Sequence, residues 1–147
     1  MADDSARFAL PYLQPGQAQK ELFHNEALTT IDALLHPVAQ TIGDDAPPAT
    51  PGIGQCWIIG ASPSGAWSGH PHEIALWSEG GWRFIAPAPG MMVWLAGDGV
   101  WAREAAGSWT VSAAIPNPAG GATVDAEART AIAALLGAFR AHGLIAT

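Results

Sequence analysis

Ala75-Leu76-Trp77-Ser78-Glu79-Gly80-Gly81-Trp82 reads as a strand, a glycine turn and a second strand, with a tryptophan on each arm. Val93-Trp94-Leu95-Ala96-Gly97-Asp98-Gly99-Val100-Trp101 repeats the arrangement a little further on. Short apolar arms around a glycine turn mark tight hairpins, because glycine accepts the positive φ such turns demand. Two units are too few for a propeller or solenoid. They predict successive hairpins of one meander. A lone hairpin is marginal in water, so the strands are expected to curl into a small antiparallel barrel or sandwich.

Working outward, the strand candidates are 55–59, 73–77, 82–86, 92–96, 100–104 and 109–112, forming a Trp- and Gly-rich β module over 53–112. All seven tryptophans lie between Trp57 and Trp109. That concentrates rigid, amphipathic surface in one small unit, which suits binding or assembly more than catalysis.

Helices are expected on both sides. Residues 1–16 form an extended arm, whose Pro11 and Pro15 disfavour helix and whose Leu10, Tyr12 and Leu13 would pack on a neighbour. A helix over 17–36 follows, with Ala18, Leu22, Leu28, Ile31 and Leu35 at mostly three- and four-residue steps until Pro37 stops it. Residues 43–52 are rich in glycine and proline and read as a linker. After a second breaker stretch, Pro116 to Gly121, a helix is expected over 123–143. Asp125 is its N-cap, Glu127 suits its first turn, and Gly143 stands where a left-handed C-terminal cap belongs, with Leu144 against Phe139. Ala128, Ile132, Leu135, Phe139 and His142 form a coiled-coil-like seam, and Ala131, Ala134, Ala138 and Ala141 form a small-residue face. This helix either packs back on its own sheet or associates with symmetry copies. The fold class is α+β.

Composition narrows the function. Apolar residues make up 49% of the chain and charged residues only 13%, against roughly 25–35% on designed soluble surfaces. Part of the surface is therefore expected to be hidden in a homo-oligomer. Net charge is −7, with six scattered basic residues and no basic stripe. This argues against nucleic acid and anionic membranes as partners. A single cysteine, Cys56, allows no intrachain disulfide and reads as a small buried hydrophobe. The acidic opening residues resemble no secretory signal, and no apolar run reaches the ~18–20 residues of a membrane span. Synthesis in the cytoplasm is expected.

The search for chemistry yields little. His70-Pro71-His72-Glu73 has a spacing that would put two imidazoles on one strand face, but the proline argues for a turn with exposed histidines. His24 reads as a polar contact anchoring its helix to the sheet. Ser62, Ser64, Ser68, Ser78 and Ser108 lie in turn-like contexts, none in a nucleophile elbow. Glu73, Glu79, Asp98 and Glu104 are the carboxylates available for a glycosidase pair, with solvated turn positions the simpler account. No glycine-rich phosphate loop is present. No catalytic, cofactor-binding or metal-binding residue is assigned, and no enzyme is expected. Sugar stacking is the stronger contender. Trp67, the tryptophan expected to be most exposed, Trp82 and Trp109 are its candidate residues, while Trp57, Trp77, Trp94 and Trp101 suit core or interface.

Two blocks carry a resemblance. Leu10-Pro11-Tyr12-Leu13-Gln14-Pro15-Gly16-Gln17-Ala18-Gln19-Lys20-Glu21, with His24-Asn25-Glu26-Ala27-Leu28 and Ile31-Asp32-Ala33-Leu34, looks like the opening signature of an uncharacterised alphaproteobacterial family, a domain of unknown function. Its members occur in prophages and gene transfer agents. Gly65-Ala66-Trp67-Ser68-Gly69-His70, Glu73-Ile74-Ala75, Gly81-Trp82-Arg83-Phe84 and Pro87-Ala88-Pro89-Gly90 resemble its middle block, and the tail from Val124 to Ile145 is similar to the C-termini of phage fibre proteins. The resemblance implies a virion component: a head-spike base or fibre connector that attaches to the capsid and supports host attachment. Leu10, Tyr12, Leu13, Ile132, Leu135 and Phe139 would then be assembly contacts. A trimer is the first expectation and a pentamer the second, with capsid or other spike proteins as partners. The alternative function is a polysaccharide-binding module that contacts the host capsule.

Overall fold

Pro37, which lacks the N–H a helix interior needs, ends one element and opens the next. The computed structural model describes residues 3–13, 16 and 20–147. Its elements are α1 (Lys20–Leu35), β1 (Val38–Asp44), β2 (Cys56–Ile59), β3 (Ile74–Ser78), β4 (Gly81–Ile85), β5 (Met92–Leu95), β6 (Val100–Ala105), β7 (Ser108–Val111) and α2 (Ala126–Ala141), with a 3-10 turn at Gly65–Trp67. The expected first turn of α1, Gln17 to Gln19, lies outside the described residues. All six expected strands are present, each within a residue of its expected bounds.

The seventh strand, β1, lies where none is expected, and its last two residues, Gly43 and Asp44, fall in the stretch read as a linker. Its register shifts between Ala39 and Ile42 and again between Ile42 and Asp44, so the two-residue alternation that betrays a strand is broken. It also occupies the centre of the sheet, whose order is β4-β3-β2-β1-β5-β6-β7. β1 runs parallel to both β2 and β5, while every other pairing is antiparallel. The module is therefore two hairpin groups joined through a parallel strand rather than one meander. β4 and β7 remain edges, so the sheet is open, and of barrel and sandwich the sandwich fits. Trp109 of β7 reaches across it, donating its indole N–H to the His72 carbonyl at 2.8 Å.

Alternation along the strands divides the core in two. Cys56, Ile58, Ile74, Leu76, Val93, Leu95, Val100 and Ala102 share one face with Ala33 of α1. Trp57, Ile59, Trp67 and Ala75 occupy the other, joined by Trp77, Trp82 and Phe84. β2 is thus buried on both sides, and each fully buried isoleucine there contributes about 1.5–3 kcal/mol. Glu104, at the end of an expected strand, is buried: its carboxylate accepts from Gly107 N at 2.7 Å and Gly90 N at 3.2 Å, tying two turns together.

The arm doubles back on itself and on α1. Asp4 bridges Pro11, and Tyr12 N donates to Asp3 O at 2.8 Å. Asp32, buried on α1, accepts from Arg7 N at 2.8 Å and Phe8 N at 2.6 Å. Asn25 exchanges two hydrogen bonds with the Leu13 backbone. His24 is exposed and does not anchor the helix. Its neighbour Asn25 ties the helix to the arm, because the 100° step between adjacent helical residues turns one inward and the other out.

At the far end, residues 110–128 are all exposed. Thr110 and Val111 close β7 against β6, and beyond them this strap is tied to α2, with Arg140 donating to Ile115 O and Asn117 Oδ1 and Arg129 donating to Gly120 O. Asp125 caps α2 by accepting from Ala128 N at 2.8 Å. The C-terminus closes with Gly143 N to Arg140 O at 3.0 Å and Leu144 N to Phe139 O at 2.9 Å, the pair of bonds expected around a left-handed glycine. Gly143, at φ 65°, also lies where a Cβ would stand 2.4 Å from the Trp94 ring and 2.7 Å from Gly99 O. Only glycine fits there.

Candidate functional site

α2 exposes large apolar side chains along one side. Ile132, Leu135 and Phe139 are 44, 58 and 42% exposed, and Ala128 and His142, the ends of the seam, are exposed too. Only Leu136 of this helix is buried. All five seam positions therefore face outward, and the single chain leaves them uncovered. Asp125 and Gly143 make the helix well formed without giving it a partner.

α1 shows the same inversion. Its inward side is built from Asn25, Thr29 and Asp32, which hold the arm, and Ala33, which joins the sheet core; Asp32 and Ala33 are buried. Phe23, at 75% exposure, lies on the outward side with Ile31 and Leu35, also exposed. The arm residues, expected as assembly contacts, are hydrogen-bonded within their own chain. Tyr12 Oη and Thr29 Oγ1 are hydrogen-bonded at 2.6 Å, and Leu13 is held by Asn25. Leu10 N donates to Ser5 Oγ at 2.9 Å. These contacts hold the arm within its own chain, and Leu10, Tyr12 and Leu13 are all half-buried.

The tryptophans are mostly spent internally. Trp67, expected as the exposed one, has 0% exposure. The 3-10 turn folds it beneath the outer face of β2–β4, where its ring meets Trp57 at 6.4 Å and Trp82 at 5.4 Å between centroids. A serine- and glycine-rich context reads as surface, but a large apolar ring finds more contacts over the strands than in water. Its indole N–H has no hydrogen-bond partner among the described residues. Trp82 sits edge-on to Trp57, Trp67 and Trp77 at 5.4, 5.4 and 4.9 Å and is half-buried. Trp109 is half-buried with its N–H committed to His72 O. The three sugar-stacking candidates do not converge on one platform: Trp67 and Trp82 share a buried cluster, and Trp109 lies on the other edge strand, against the opposite core.

The histidine segment is a turn, as its proline suggests. His72 has φ 63°. His70 stacks on Phe84 with centroids 3.6 Å apart and pairs with Glu73 at 3.0 Å. Among the described residues no three His, Cys, Asp or Glu side chains converge as a metal site would require. Cys56 is buried, as expected of a small hydrophobe. Burial pushes its thiol up from 9.0 to about 11, with Asp32 adding to the effect and Arg7 opposing it. No helix among the described residues is long and apolar enough to cross a membrane.

Sequence reasoning did not find a cavity between α1, the arm and the β3–β4 hairpin, because its lining comes from four separate segments. The one signal available was the density of carboxylates on the inward side of α1.

No curated protein matches the chain. One family does, described as protein of unknown function, DUF2793, and its match spans residues 24–110, from α1 to β7. More than half of the sequence is covered, and the chain belongs to the DUF2793 family.

Proposed function

We propose that the chain is a non-enzymatic structural component of a phage-like particle, a gene transfer agent or a phage. It serves as the base of a head spike or as a fibre connector, assembled as a closed homo-oligomer that supports host attachment. The observation that carries this reading is the outward-facing seam of α2, Ile132, Leu135 and Phe139. A 16-residue helix is marginal alone in water, and an apolar stripe at coiled-coil spacing is covered most directly by copies of itself. A trimer suits a fibre and a short seam; a pentamer suits a fivefold vertex. The outward side of α1, with Phe23, Ile31 and Leu35, then meets the capsid or another spike protein. The particle assignment is supported by the resemblance of the Leu10–Leu34 segment to prophage and gene-transfer-agent proteins.

The test has two arms. Sedimentation of the purified chain at micromolar concentration is expected to give a closed oligomer. Electron microscopy of particles made with and without the protein is expected to show an appendage lost from the particle. A monomer that binds no particle component overturns the proposal.

A further inference from the structure

The cavity beneath α1 measures about 650 Å³, within the ~300–1,000 Å³ typical of sites that enclose small ligands or side chains. Its walls are largely apolar: Tyr12, Leu22, Ile53, Leu76 and Trp77. Leu22 and Ile53 are each more than half exposed. Around this apolar space stand five carboxylates, Asp4, Glu21, Glu26, Asp32 and Glu79, and one cation, Arg83. Asp32 is occupied by the arm N–H groups, and Glu26 pairs with Arg83 at 3.0 Å. Glu21 stands apart. Its Oε2 is shut off from solvent and has no hydrogen-bond partner among the described residues. A carboxylate oxygen removed from water without a donor is costly, and the cost falls when a donor arrives.

We propose that this cavity binds a lysine- or arginine-bearing segment of a second protein, with the cationic head at Glu21 and the apolar flank against Leu22, Ile53 and Trp77. Charge selects the head: with Glu26 paired to Arg83, the carboxylates of Asp4, Glu21 and Asp32 give a negative potential that a low-dielectric wall concentrates. The apolar lining selects the stem, and lysine and arginine both carry a methylene chain that packs on such surface. Trp77 adds an aromatic wall of the kind that attracts ammonium and guanidinium groups. The occupant is assigned to another protein because Arg7, Arg83, Arg129 and Arg140 are hydrogen-bonded within the chain and the two other basic residues, Lys20 and Arg103, do not line the cavity. This inference does not depend on the particle reading.

Calorimetric titration of the full chain tests it, using an acetylated and amidated Leu-Lys-Leu peptide and analogues with norleucine or glutamate at the centre. The lysine peptide is expected to bind at least about tenfold more tightly than the norleucine analogue, as a charge-assisted contact provides, and the glutamate peptide more weakly than either. That preference shrinks as salt rises and disappears in Glu21→Gln. Ile53→Ser, a change at an exposed position, weakens the lysine and norleucine peptides alike and leaves the preference in place. Hexylamine, which supplies head and stem without a peptide, binds at least about tenfold more weakly than the lysine peptide. Equal binding of the lysine and norleucine peptides, a preference that survives Glu21→Gln, or no binding of any peptide overturns the proposal. Hexylamine binding as tightly as the lysine peptide overturns the assignment to a protein segment.

Discussion

Replacing Leu135 with glutamate separates association from folding. Leu135 is 58% exposed on a helix whose only buried residue is Leu136. Glutamate is a good helix former, and an exposed substitution of this kind changes the stability of a single chain by no more than about 0.5 kcal/mol. Association is another matter. Fully burying a leucine contributes about 1.5–3 kcal/mol, so covering the exposed part of Leu135 contributes about 1–2 kcal/mol per copy. In a trimer the loss reaches about 3–5 kcal/mol before any repulsion among the introduced carboxylates, a hundredfold to several-thousandfold weaker association. Sedimentation velocity across a dilution series reads the effect directly. The expected result is an oligomer for the natural chain and a monomer for Leu135→Glu, with the same thermal midpoint at a concentration where both are dissociated. An oligomer that survives the substitution would mean that α2 is not the associating element, and the seam argument would fail.

Other consequences of the fold can be checked independently. The Cys56 thiol, raised to about 11 by burial, is expected to ignore a thiol-specific reagent at neutral pH until the chain unfolds. Because the folded value lies above the unfolded 9.0, the stability from keeping this thiol neutral is intact below pH 9 and is lost as pH rises towards 11. The loss amounts to about 2–3 kcal/mol, and Cys56→Ala is expected to abolish that part of the alkaline dependence measured by denaturant titration. Asp32→Ala leaves the Arg7 and Phe8 N–H groups without their acceptor. At about 1–3 kcal/mol for an unsatisfied group, the arm is expected to detach and limited proteolysis to cut it far faster. Gly137 lies in α2 with open space where a Cβ would stand, so Gly137→Ala is expected to stabilise the helix by about 0.5–1 kcal/mol, seen as a higher helix-melting midpoint.

Much of this architecture was legible in the sequence because it rests on local signals. Glycine turns fixed the β3–β4 and β5–β6 hairpins, and Asp125 and Gly143 bounded α2 almost to the residue. What stayed hidden depended on distance along the chain. β1 earns its central place through partners about seventeen and fifty-six residues away, Cys56 and Leu95 facing Ala39, and no local pattern reports that. Trp67 was misread for a related reason. Its neighbours are serine and glycine, yet its burial is set by Trp57 and Trp82, which arrive from other strands. Asp32 and Glu104 are similar: polar positions by pattern, buried because backbone N–H groups from elsewhere converge on them.

The tryptophan cluster saturates one face of β2–β4 and the aliphatic core the other, so the sheet has little apolar surface left to offer. Both helices still expose large apolar side chains, Ile132, Leu135 and Phe139 on α2 among them, and the way α2 is mounted gives that surface a direction. The strap from 112 onward leaves the end of β7, and the segment after α2 returns to the β6–β7 end of the sheet: Trp101 N donates to Gly143 O at 3.0 Å and Ala146 N to Ser112 O at 3.1 Å. Ile145 is buried there, and Gly143 is wedged against Trp94. The helix is therefore anchored through its C-terminal end, not hung on a tether. In the proposed oligomer, copies joined along the seam would hold their sheets at one fixed angle, and a closed ring forms where that rotation returns on itself.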